Sequence, residues 1–461
     1  IQNAMLLAQS PRVDEDAGLL EDRQGIGKLK MNLDHHETKP IRSIAISDNA
    51  EKIVAGSDER TIHVWEARSD HTMLNSLEGH TKQVTSVFMH PNGDFLVSGS
   101  RDSSVCVWDV RQEDESLVRS QAAVGRYRAA KKEERGHKSD ITAVAVTSHL
   151  GNNTGADGGA SGDTSPDAGM VISASRDRTV KFWARDRGGS YRGEIKMGGA
   201  LSVLCLAVSP DNSRLYAGAN DNSCSVWTLS PLHEASGTGE AVDLMHDQHC
   251  LHMLMGHTQW VMAIKIATDS SVVATGSDDC TMRVYSYEAG TFLFALNAHE
   301  GHVHALDILI PPHCEEGEVV GAGAGESTSA AISASTPLLI SGGYDRAIHF
   351  WHLPSIAPSD GVKPTHSLIQ AHHNRIVGIV VTKSTSTDTD TQAQAQAQTQ
   401  VVVSACADGN IKILSLTAET LFEFAVAKSG PRDEVRTVLG VAPNPALVLS
   451  GNGNDYNGQA G

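Results

Sequence analysis

The chain has 461 residues, of which 40% are apolar, so it can bury a sizeable hydrophobic core. It carries 37 Lys and Arg against 55 Asp and Glu, a formal net charge of −18. That charge disfavours a general nucleic-acid or membrane-surface binder, which gains affinity from a basic surface.

A hairpin pattern recurs along the chain: an apolar run, a cluster of small residues, an acidic turn, and a second apolar run that usually ends in an aromatic residue. The stretch "LVSGSRDSSVCVW" at 96–108 is one copy. Each copy predicts two strands joined by a tight turn whose acidic side chain binds backbone N–H groups. In chain order, the seven acidic positions are Glu59, Asp102, Asp177, Asp221, Asp279, Asp345 and Asp408.

A second signature precedes most of these hairpins. Gly-His or Ala-His stands a few residues before a β-branched residue, as in "GHTKQV" at 79–84 and "AHEGHV" at 298–303. The two signatures together resemble the WD-repeat family over residues 27–450. The resemblance implies an all-β fold, a β-propeller whose four-stranded blades surround a central channel.

The resemblance also implies a buried hydrogen-bonded group of four side chains in the complete repeats. A buried polar group of this kind is stable because each member has a partner. We expect it in blade 2 (His80, Ser98, Asp102, Trp108), blade 3 (His137, Ser173, Asp177, Trp183) and blade 6 (His299, Ser341, Asp345, Trp351). Blade 5 has Tyr285 in the tryptophan position and blade 7 has Leu414, while blades 1 and 4 lack the serine and a well-placed histidine.

The number of blades depends on the two ends of the repeat region. Seven repeats are clear, and "VRTVLGVAPNPALVLSG" at 435–451 resembles two strands of a partial eighth blade. At the other end, "KLKMNLDHH" at 28–36 resembles an outer strand, which predicts that one terminus completes a blade begun by the other. The sequence favours eight blades on this interpretation.

The domain organisation is a propeller at 27–450 between an acidic N-terminal tail at 1–26 and a C-terminal tail at 451–461. Four long polar insertions interrupt the propeller, and their composition predicts solvated, disordered loops on its bottom face. They are residues 148–169, 230–249, 312–336 and 383–400. The opposite, top face keeps short loops, which would bind a partner at a lower entropic cost.

Family geometry predicts which residues this top face exposes. Trp260 is the one tryptophan of six outside the repeat position, and aromatic and arginine residues commonly anchor interfaces. We therefore expect a protein or peptide partner to bind there. The predicted binding residues are Trp260, Met262, His302, His304, Tyr344, Arg101, Arg176, Arg375 and Asp278.

The same pattern gives no sign of catalysis, a cofactor or a metal. The recurrence of His, Ser and Asp in several blades favours a structural role over a catalytic triad. The histidine-rich stretches "HDQHCLH" at 246–252 and "HEGHVH" at 299–304 lack the spacing of a known zinc site.

The second hairpin also fits a box found in WD-repeat substrate receptors of cullin-RING ubiquitin ligases, in which Asp109 and Arg111 carry the independent information. We expect a non-enzymatic interaction scaffold in the cytoplasm or nucleus. Two alternatives stay open: a substrate receptor that docks on the cullin-RING adaptor, and an RNA-associated propeller of ribosome biogenesis or splicing. The second rests on a basic sector at 119–196.

Overall fold

The structure is a computed structural model. It describes residues 28–34, 40–47, 51–66, 73–90, 93–110, 119–121, 125–127, 136–147, 169–184, 190–198, 201–235, 241–310, 337–354, 362–369, 371–381, 400–416 and 448–449. Both tails, Arg111, and all but an end residue of the insertions 148–169 and 383–400 lie outside these residues, as does the whole of 312–336.

Short strands form the regular structure of the described residues in the first half of the chain. In order they are β1 (Lys28–Asp34), β2 (Ile41–Ile46), β3 (Lys52–Ser57), β4 (Thr61–Glu66), β5 (Met73–Glu78), β6 (Val84–Met89), β7 (Phe95–Ser100), β8 (Val105–Asp109), β9 (Arg119–Gln121), β10 (Gly125–Tyr127), β11 (Ile141–Val146), β12 (Met170–Ser175), β13 (Thr179–Ala184) and β14 (Tyr191–Lys196).

The second half continues the pattern and adds two short helices, α1 (Ser230–Ala235) and α2 (His246–His249). Its strands are β15 (Val203–Val208), β16 (Arg214–Ala219), β17 (Cys224–Thr228), β18 (Cys250–Leu254), β19 (Val261–Ile266), β20 (Val272–Ser277), β21 (Met282–Ser286), β22 (Phe292–Leu296), β23 (Val303–Leu309), β24 (Leu338–Gly343), β25 (Ile348–His352), β26 (His366–Ile369), β27 (Ile376–Val381), β28 (Gln400–Cys406), β29 (Asn410–Leu416) and β30 (Val448–Leu449).

These strands form seven antiparallel blades, the β-propeller that the repeats predict. Blades 1 to 6 are β2–β5, β6–β7–β8–β10, β11–β14, β15–β18, β19–β22 and β23–β26. Blade 7 consists of β27, β28, β29 and β1. The strands β9 and β30 add a fifth member to the outer edges of blades 1 and 6.

The ring is closed by the N-terminal strand. β1 pairs antiparallel with β29, from Lys28 opposite Ser415 to Asp34 opposite Asn410. The inner strand β27 packs against both β23 of blade 6 and β2 of blade 1, which leaves no gap for another blade. The eighth blade favoured by the C-terminal sequence is therefore not part of the ring. Within 435–451, the described pair Val448–Leu449 extends blade 6 instead.

The small residues of the repeat are explained by how closely neighbouring blades approach. A Cβ on Gly99 of blade 2 would lie 2.5 Å from Ile141 of blade 3, and one on Gly342 of blade 6 would lie 2.7 Å from Ile376 of blade 7. A side chain at either position would force the next blade outwards. Seven buried apolar clusters fill the spaces between adjacent blades, including the space between blades 7 and 1.

The acidic turn works in the same way in six blades. Its carboxylate accepts the N–H of the residue two positions later, as Asp102 does from Ser104 at 2.9 Å. The equivalent acceptors in the other blades are Asp177, Asp221, Asp279, Asp345 and Asp408. The residue between donor and acceptor has a positive φ, 64° at Ser103. The carboxylate therefore holds a turn that few residue types favour on their own.

The four-residue groups have the hydrogen bonds that the family resemblance implies. In blade 6, His299 Nδ1 lies 2.7 Å from Asp345 and Nε2 lies 2.8 Å from Ser341, which also accepts the indole N–H of Trp351. The same three bonds occur among His80, Ser98, Asp102 and Trp108 of blade 2, and among His137, Ser173, Asp177 and Trp183 of blade 3.

The blades that lack one of the four residues have different hydrogen bonds in its place or lose one. In blade 5, Thr275 replaces the serine and binds His257 Nε2 at 2.8 Å. In blade 4, Trp227 donates instead to Ser225 on its own strand. In blade 7, His372 keeps its bond to Ser404 at 2.8 Å, while its Nδ1 is buried and has no hydrogen-bond partner among the described residues.

Buried histidines consequently differ in charge between blades. Burial lowers the pKa of His80, but the hydrogen bonds to Asp102 and Cys106 outweigh it and raise the pKa to about 9. For His372, burial and the charge of Lys412 lower the pKa to about 3. The Asp102 carboxylate thus favours the protonated form of the ring in blade 2, whereas burial favours the neutral form in blade 7.

The insertion at 230–249 differs from the expected solvated loop. Leu232 of α1 and Leu244 are buried and pack into the core between blades 3 and 4. The Leu244 N–H also donates to the Glu194 carbonyl at 3.0 Å, which adds this segment to the edge of β14. Val242 packs against the same core and donates its N–H to the Arg192 carbonyl at 2.8 Å, so several apolar residues attach this segment to the propeller.

The replacement Asp345→Ala should destabilise the protein by roughly 1–3 kcal/mol, because it removes the acceptor for His299, Glu300 N–H and Ala347 N–H. Asp408→Ala in blade 7 is the matched control and should cost less, since that carboxylate does not bind the blade histidine. Chemical denaturation would measure both, and equal losses would contradict the importance of the histidine bond.

Lowering the pH from 7 to 5 should cost the wild-type protein on the order of 2 kcal/mol relative to His372→Gln. The unfolded chain binds a proton near pH 6.5, whereas the folded ring resists protonation until about pH 3. This contribution is present above pH 6.5 and is lost as the pH falls. Chemical denaturation of the wild type, His372→Gln and the exposed control His373→Gln at both pH values measures this loss. An equal change in the free energy of unfolding for all three proteins would contradict the prediction.

Candidate functional site

The top face of the propeller is built by one backbone hydrogen bond that recurs in all seven blades. The residue before each turn acid donates its N–H to the carbonyl of the residue before the first strand of the blade. The pairs are Asp58–Pro40, Arg101–Gln83, Arg176–Asp140, Asn220–Ser202, Asp278–Trp260, Tyr344–His302 and Ala407–Arg375, at 2.9–3.1 Å. These bonds bring the two sets of predicted top-face residues together.

Asp278 joins blades 5 and 6 on this face. Its carboxylate lies 2.8 Å from His304 Nε2, and its carbonyl lies 2.5 Å from His302 Nδ1. His302 directly precedes β23 and His304 lies near its start, and both side chains meet the same neighbour. The aspartate thus fixes the orientation of both rings.

Aromatic contacts continue this cluster into blade 7. The Tyr344 ring lies 5.1 Å from the His302 ring and 4.6 Å from the His304 ring, measured between centroids. The guanidinium of Arg375 stacks over Tyr344 at 4.8 Å. A cation over an aromatic ring is favourable and restrains both side chains. We call Trp260, Asp278, His302, His304, Tyr344 and Arg375 the top-face cluster.

Trp260 is the exposed end of this cluster. Its side chain is 49% exposed, whereas the tryptophans of the repeat positions are buried. Its backbone is fixed by the hydrogen bond from Asp278 at 3.0 Å. Met262 lies two residues further on, within β19, and is partly buried. A large ring thus projects from a rigid backbone.

The other predicted residues lie elsewhere on the face. Arg101 of blade 2 and Asp140 of blade 3 approach to 3.9 Å, and the Arg176 N–H binds the Asp140 carbonyl. Arg176 itself is exposed. This second group belongs to the blade 2–3 side and makes a looser ion pair than the contacts of the top-face cluster.

Sequence analysis missed a pair in blade 1. Arg42 makes a bidentate bond to Asp58, at 2.8 and 2.7 Å. That hydrogen bond, against some burial, raises the pKa of Arg42, and Tyr344 adds a smaller contribution. In the repeat, Asp58 and Arg42 occupy the positions of Asp278 and Met262, so the signal that predicts those two residues is present in the first blade as well.

Asp109 of the ubiquitin-ligase box lies apart from the top face. It ends β8 opposite Phe95, and the next carbonyl, of Val110, accepts the Lys52 ammonium at 2.8 Å. Lys52 also binds the Gly93 carbonyl, so it joins blades 1 and 2. Arg111 falls outside the described residues, so the geometry of the complete box is a prediction.

One group of potential metal ligands occurs among the described residues. His299, Asp345 and His349 offer ligand atoms within 4.8 Å of one another. Their hydrogen-bonding positions are largely engaged: both nitrogens of His299 bind Asp345 and Ser341, and His349 Nδ1 binds Ser367 at 2.6 Å. This arrangement serves the folded structure of blade 6.

In the described part of the chain, every helix is too short to span a membrane.

Comparison with known proteins agrees with the fold. The profile of the family described as "WD domain, G-beta repeat" matches residues 27–66, 71–109, 130–184, 194–228, 248–286 and 317–352, more than half of the chain. The chain belongs to this WD40 repeat family. Propellers of the family are generally non-enzymatic scaffolds for protein interactions. The structure adds blade 7 to the six matched segments.

Similarity to individual relatives is partial. The chain is 31% identical over 140 residues to mitochondrial division protein 1 of Schizosaccharomyces pombe, covering 29% of this chain and 21% of the relative. It is 37% identical over 54 residues to a probable E3 ubiquitin ligase complex SCF subunit, sconB, of Aspergillus clavatus, covering 12% and 8%. It is 23% identical over 223 residues to the ribosome biogenesis protein WDR12 homolog of Drosophila mojavensis, covering 46% of each.

The exposed position of Trp260 predicts a small effect on stability. Trp260→Ala should change the free energy of unfolding by less than about 1 kcal/mol, whereas Trp351→Ala should cost about 3–5 kcal/mol, because Trp351 is fully buried and binds Ser341. Thermal and chemical denaturation of both variants would measure this. A similar loss for the two tryptophans would show that Trp260 supports the fold and is not free to bind.

Proposed function

We propose that this propeller is an interaction scaffold that binds a peptide or protein through its top-face cluster. The observation that carries the proposal is Trp260, a half-exposed ring whose backbone carbonyl accepts the N–H of Asp278, the residue that binds His302 and His304. Most of the binding energy of protein interfaces comes from a few such residues, with tryptophan, tyrosine and arginine enriched among them.

The rigidity of the cluster supports the proposal. Asp278 orients His302 and His304, and Tyr344 packs between these rings and Arg375. Binding therefore freezes few side-chain rotamers, and each one that would otherwise be ordered costs about 0.5–1.5 kcal/mol. A face with fixed side chains can bind a partner with a modest contact area.

The chemistry of the cluster indicates which partner groups would fit. Trp260 offers an apolar face, Arg375 a positive charge, and the histidine and tyrosine side chains hydrogen-bonding groups. We infer a partner segment that places an apolar side chain on Trp260 and an acidic or polar group towards Arg375. Cytoplasm or nucleus is the proposed location, as for scaffolds that work in multi-protein complexes.

A substrate receptor of a cullin-RING ubiquitin ligase is the alternative that the second blade supports. Asp109 and Arg111 occupy the box positions of such receptors, and part of the chain is similar to a probable SCF subunit. In this alternative the top-face cluster would hold the substrate while Asp109 and Arg111 meet the adaptor. Both proposals use the same top face, so the adaptor contact is the feature that separates them.

An RNA-associated propeller is the third alternative. It rests on the basic sector at 119–196 and on similarity to a ribosome biogenesis protein over 46% of the chain. Binding through phosphates would weaken steeply as salt concentration rises, because counterions are released. Binding through Trp260 would depend weakly on salt.

Trp260→Ala should weaken binding of a captured partner by about 2 kcal/mol or more, roughly 30-fold, because truncating a central aromatic removes contacts that rim residues cannot replace. Phe292→Ala is the matched control, since Phe292 is 48% exposed but lies on an outer strand. Titration of the purified partner against both variants measures the difference. Equal weakening by both, or none by either, would remove the support for the top face.

Arg111→Ala should leave partner binding unchanged and abolish co-purification of the cullin-RING adaptor, if the receptor alternative holds. Quantitative affinity capture of wild type, Arg111→Ala and Trp260→Ala separates the two contacts. Adaptor recovery that is absent in the wild type, or equal in wild type and Arg111→Ala, would exclude the receptor role.

A further inference from the structure

The exposed apolar side chains of this protein are concentrated at one place. Among the described residues, all six strongly exposed large apolar side chains lie between positions 245 and 292 in blades 4 and 5, and five of them are outside the top-face cluster. Four lie in the outer strand of blade 4 or close to it in the chain: Met245, Leu251, Met253 and Met255, each 40–60% exposed. We call these four residues the methionine edge.

The methionine edge follows an outer strand. Leu251 and Met253 belong to β18, while Met255 follows directly after it. Spacing by two places their side chains on one side of an extended chain, apart from the local irregularity opposite Val226 and Trp227. Large apolar patches that stay exposed on a monomer commonly mark interaction sites.

The backbone of β18 is also open on its outer side. Within the described residues, β18 pairs only with β17. Four other blades have further chain segments on their outer strands: β9 on β5, β30 on β26, Leu244 on β14 and Val362 on β22. The propeller thus accepts added strands along its circumference, and an open strand edge is a template for another extended chain.

The local charge indicates what can occupy this edge. Residues 230–296 contain eight Asp and Glu against two Lys and Arg. Lys265 pairs with Asp307 at 2.9 Å, while Arg283 stacks over Phe292 at 5.0 Å and its guanidinium lies against Gly256, next to Met255. Asp243 and Glu288 are exposed; Asp243 accepts the Tyr191 hydroxyl and the Glu194 N–H, and Glu288 pairs with Arg214 at 3.3 Å. The net charge of this segment is therefore negative and favours a basic partner.

A second copy of the chain fits these observations poorly. Symmetric pairing of two edges would place two acidic regions against each other. Each side of a stable protein interface buries about 800 Å², whereas the methionine edge consists of four side chains. A short extended segment needs less area, because the main-chain hydrogen bonds contribute to its affinity.

We propose that the edge strand β18 binds an extended segment of a partner protein, with apolar side chains at alternate positions and lysine or arginine at its ends. The segment adds to blade 4 as a fifth strand. Its apolar side chains lie against Leu251, Met253 and Met255, while its basic ends face the acidic surroundings. This site is separate from the top-face cluster, so one propeller can hold two partners.

The test uses a fluorescent, end-blocked peptide in which valine alternates with threonine and lysine stands at both ends. Its affinity for the full chain is measured by fluorescence anisotropy. Three companion peptides are compared: one with glutamate at the ends, one of the same composition with the valines adjacent, and one with N-methyl groups on alternate amides. We expect measurable binding of the first peptide and at least about 10-fold weaker binding of the other three.

Protein variants locate the site. Met253→Arg should weaken binding at least about 10-fold, because it removes an apolar contact and adds a charge like that of the peptide. Met255→Ser is a second variant in case Met253→Arg does not fold. Trp260→Ala should bind the peptide as the wild type does, which separates this site from the top face. Melting temperatures verify that each variant is folded.

Several outcomes would overturn the proposal. The first is that the first peptide does not bind at up to roughly 1 mM. The second is that folded Met253→Arg and Met255→Ser bind it with the affinity of the wild type. The third is that the N-methylated peptide binds as tightly as the first peptide. Sedimentation of the chain without peptide is the last check. A dimer that Met253→Arg dissociates would assign the edge to a second copy.

Discussion

The seven-bladed ring depends on one strand pairing, that of β1 with β29. Without this pairing, β29 would be an open sheet edge, and only side-chain packing between inner strands would hold blade 7 against blade 1. Because β1 comes from the start of the propeller and β29 from its end, their hydrogen bonds join the first and last parts of the ring. Ring closure fixes the spacing of all seven inner strands, including the contact of β27 with β2.

The positions of the top-face residues follow from this closure. Each blade presents two short loops joined by one backbone hydrogen bond, so the blade spacing sets the distance between neighbouring pairs. Asp278 can reach His304, and Arg375 can stack on Tyr344, only when adjacent blades are held at a fixed separation. The buried His–Asp bonds hold the loops within blades 2, 3, 5 and 6.

Much of the fold could be predicted from the sequence because the repeat encodes local chemistry. The turn needs an acid two residues before the N–H that it binds, which is a requirement within one blade. A glycine is needed where a strand of the next blade approaches, which is a requirement between two blades. The number of blades was harder to predict, because β1 and β30 are short strands whose partners lie far away in the chain. Trp260 stands out in the sequence because it lies outside the tryptophan position of the repeat, and the structure leaves its side chain half exposed.

Other features needed the assembled ring. Asp278 was predicted as a surface residue, yet its role in orienting His302 and His304 depends on a contact between blades. The stretch "HDQHCLHMLM" at 246–255 lacks the spacing of a zinc site, and its apolar alternation becomes informative only because β18 is an open edge among the described residues. Leu232 and Leu244 showed no periodicity that would separate them from a polar loop.

Ring closure can be tested directly by comparing deletion of residues 1–27 with deletion of residues 1–34 in the full chain. Hydrogen–deuterium exchange would follow the amides of β27, β28 and β29. The shorter deletion should leave their protection unchanged. The longer one removes β1 and should strip protection from β28 and β29 and lower the melting temperature. Unchanged protection and melting temperature after loss of residues 28–34 would contradict a ring closed by the N-terminal strand.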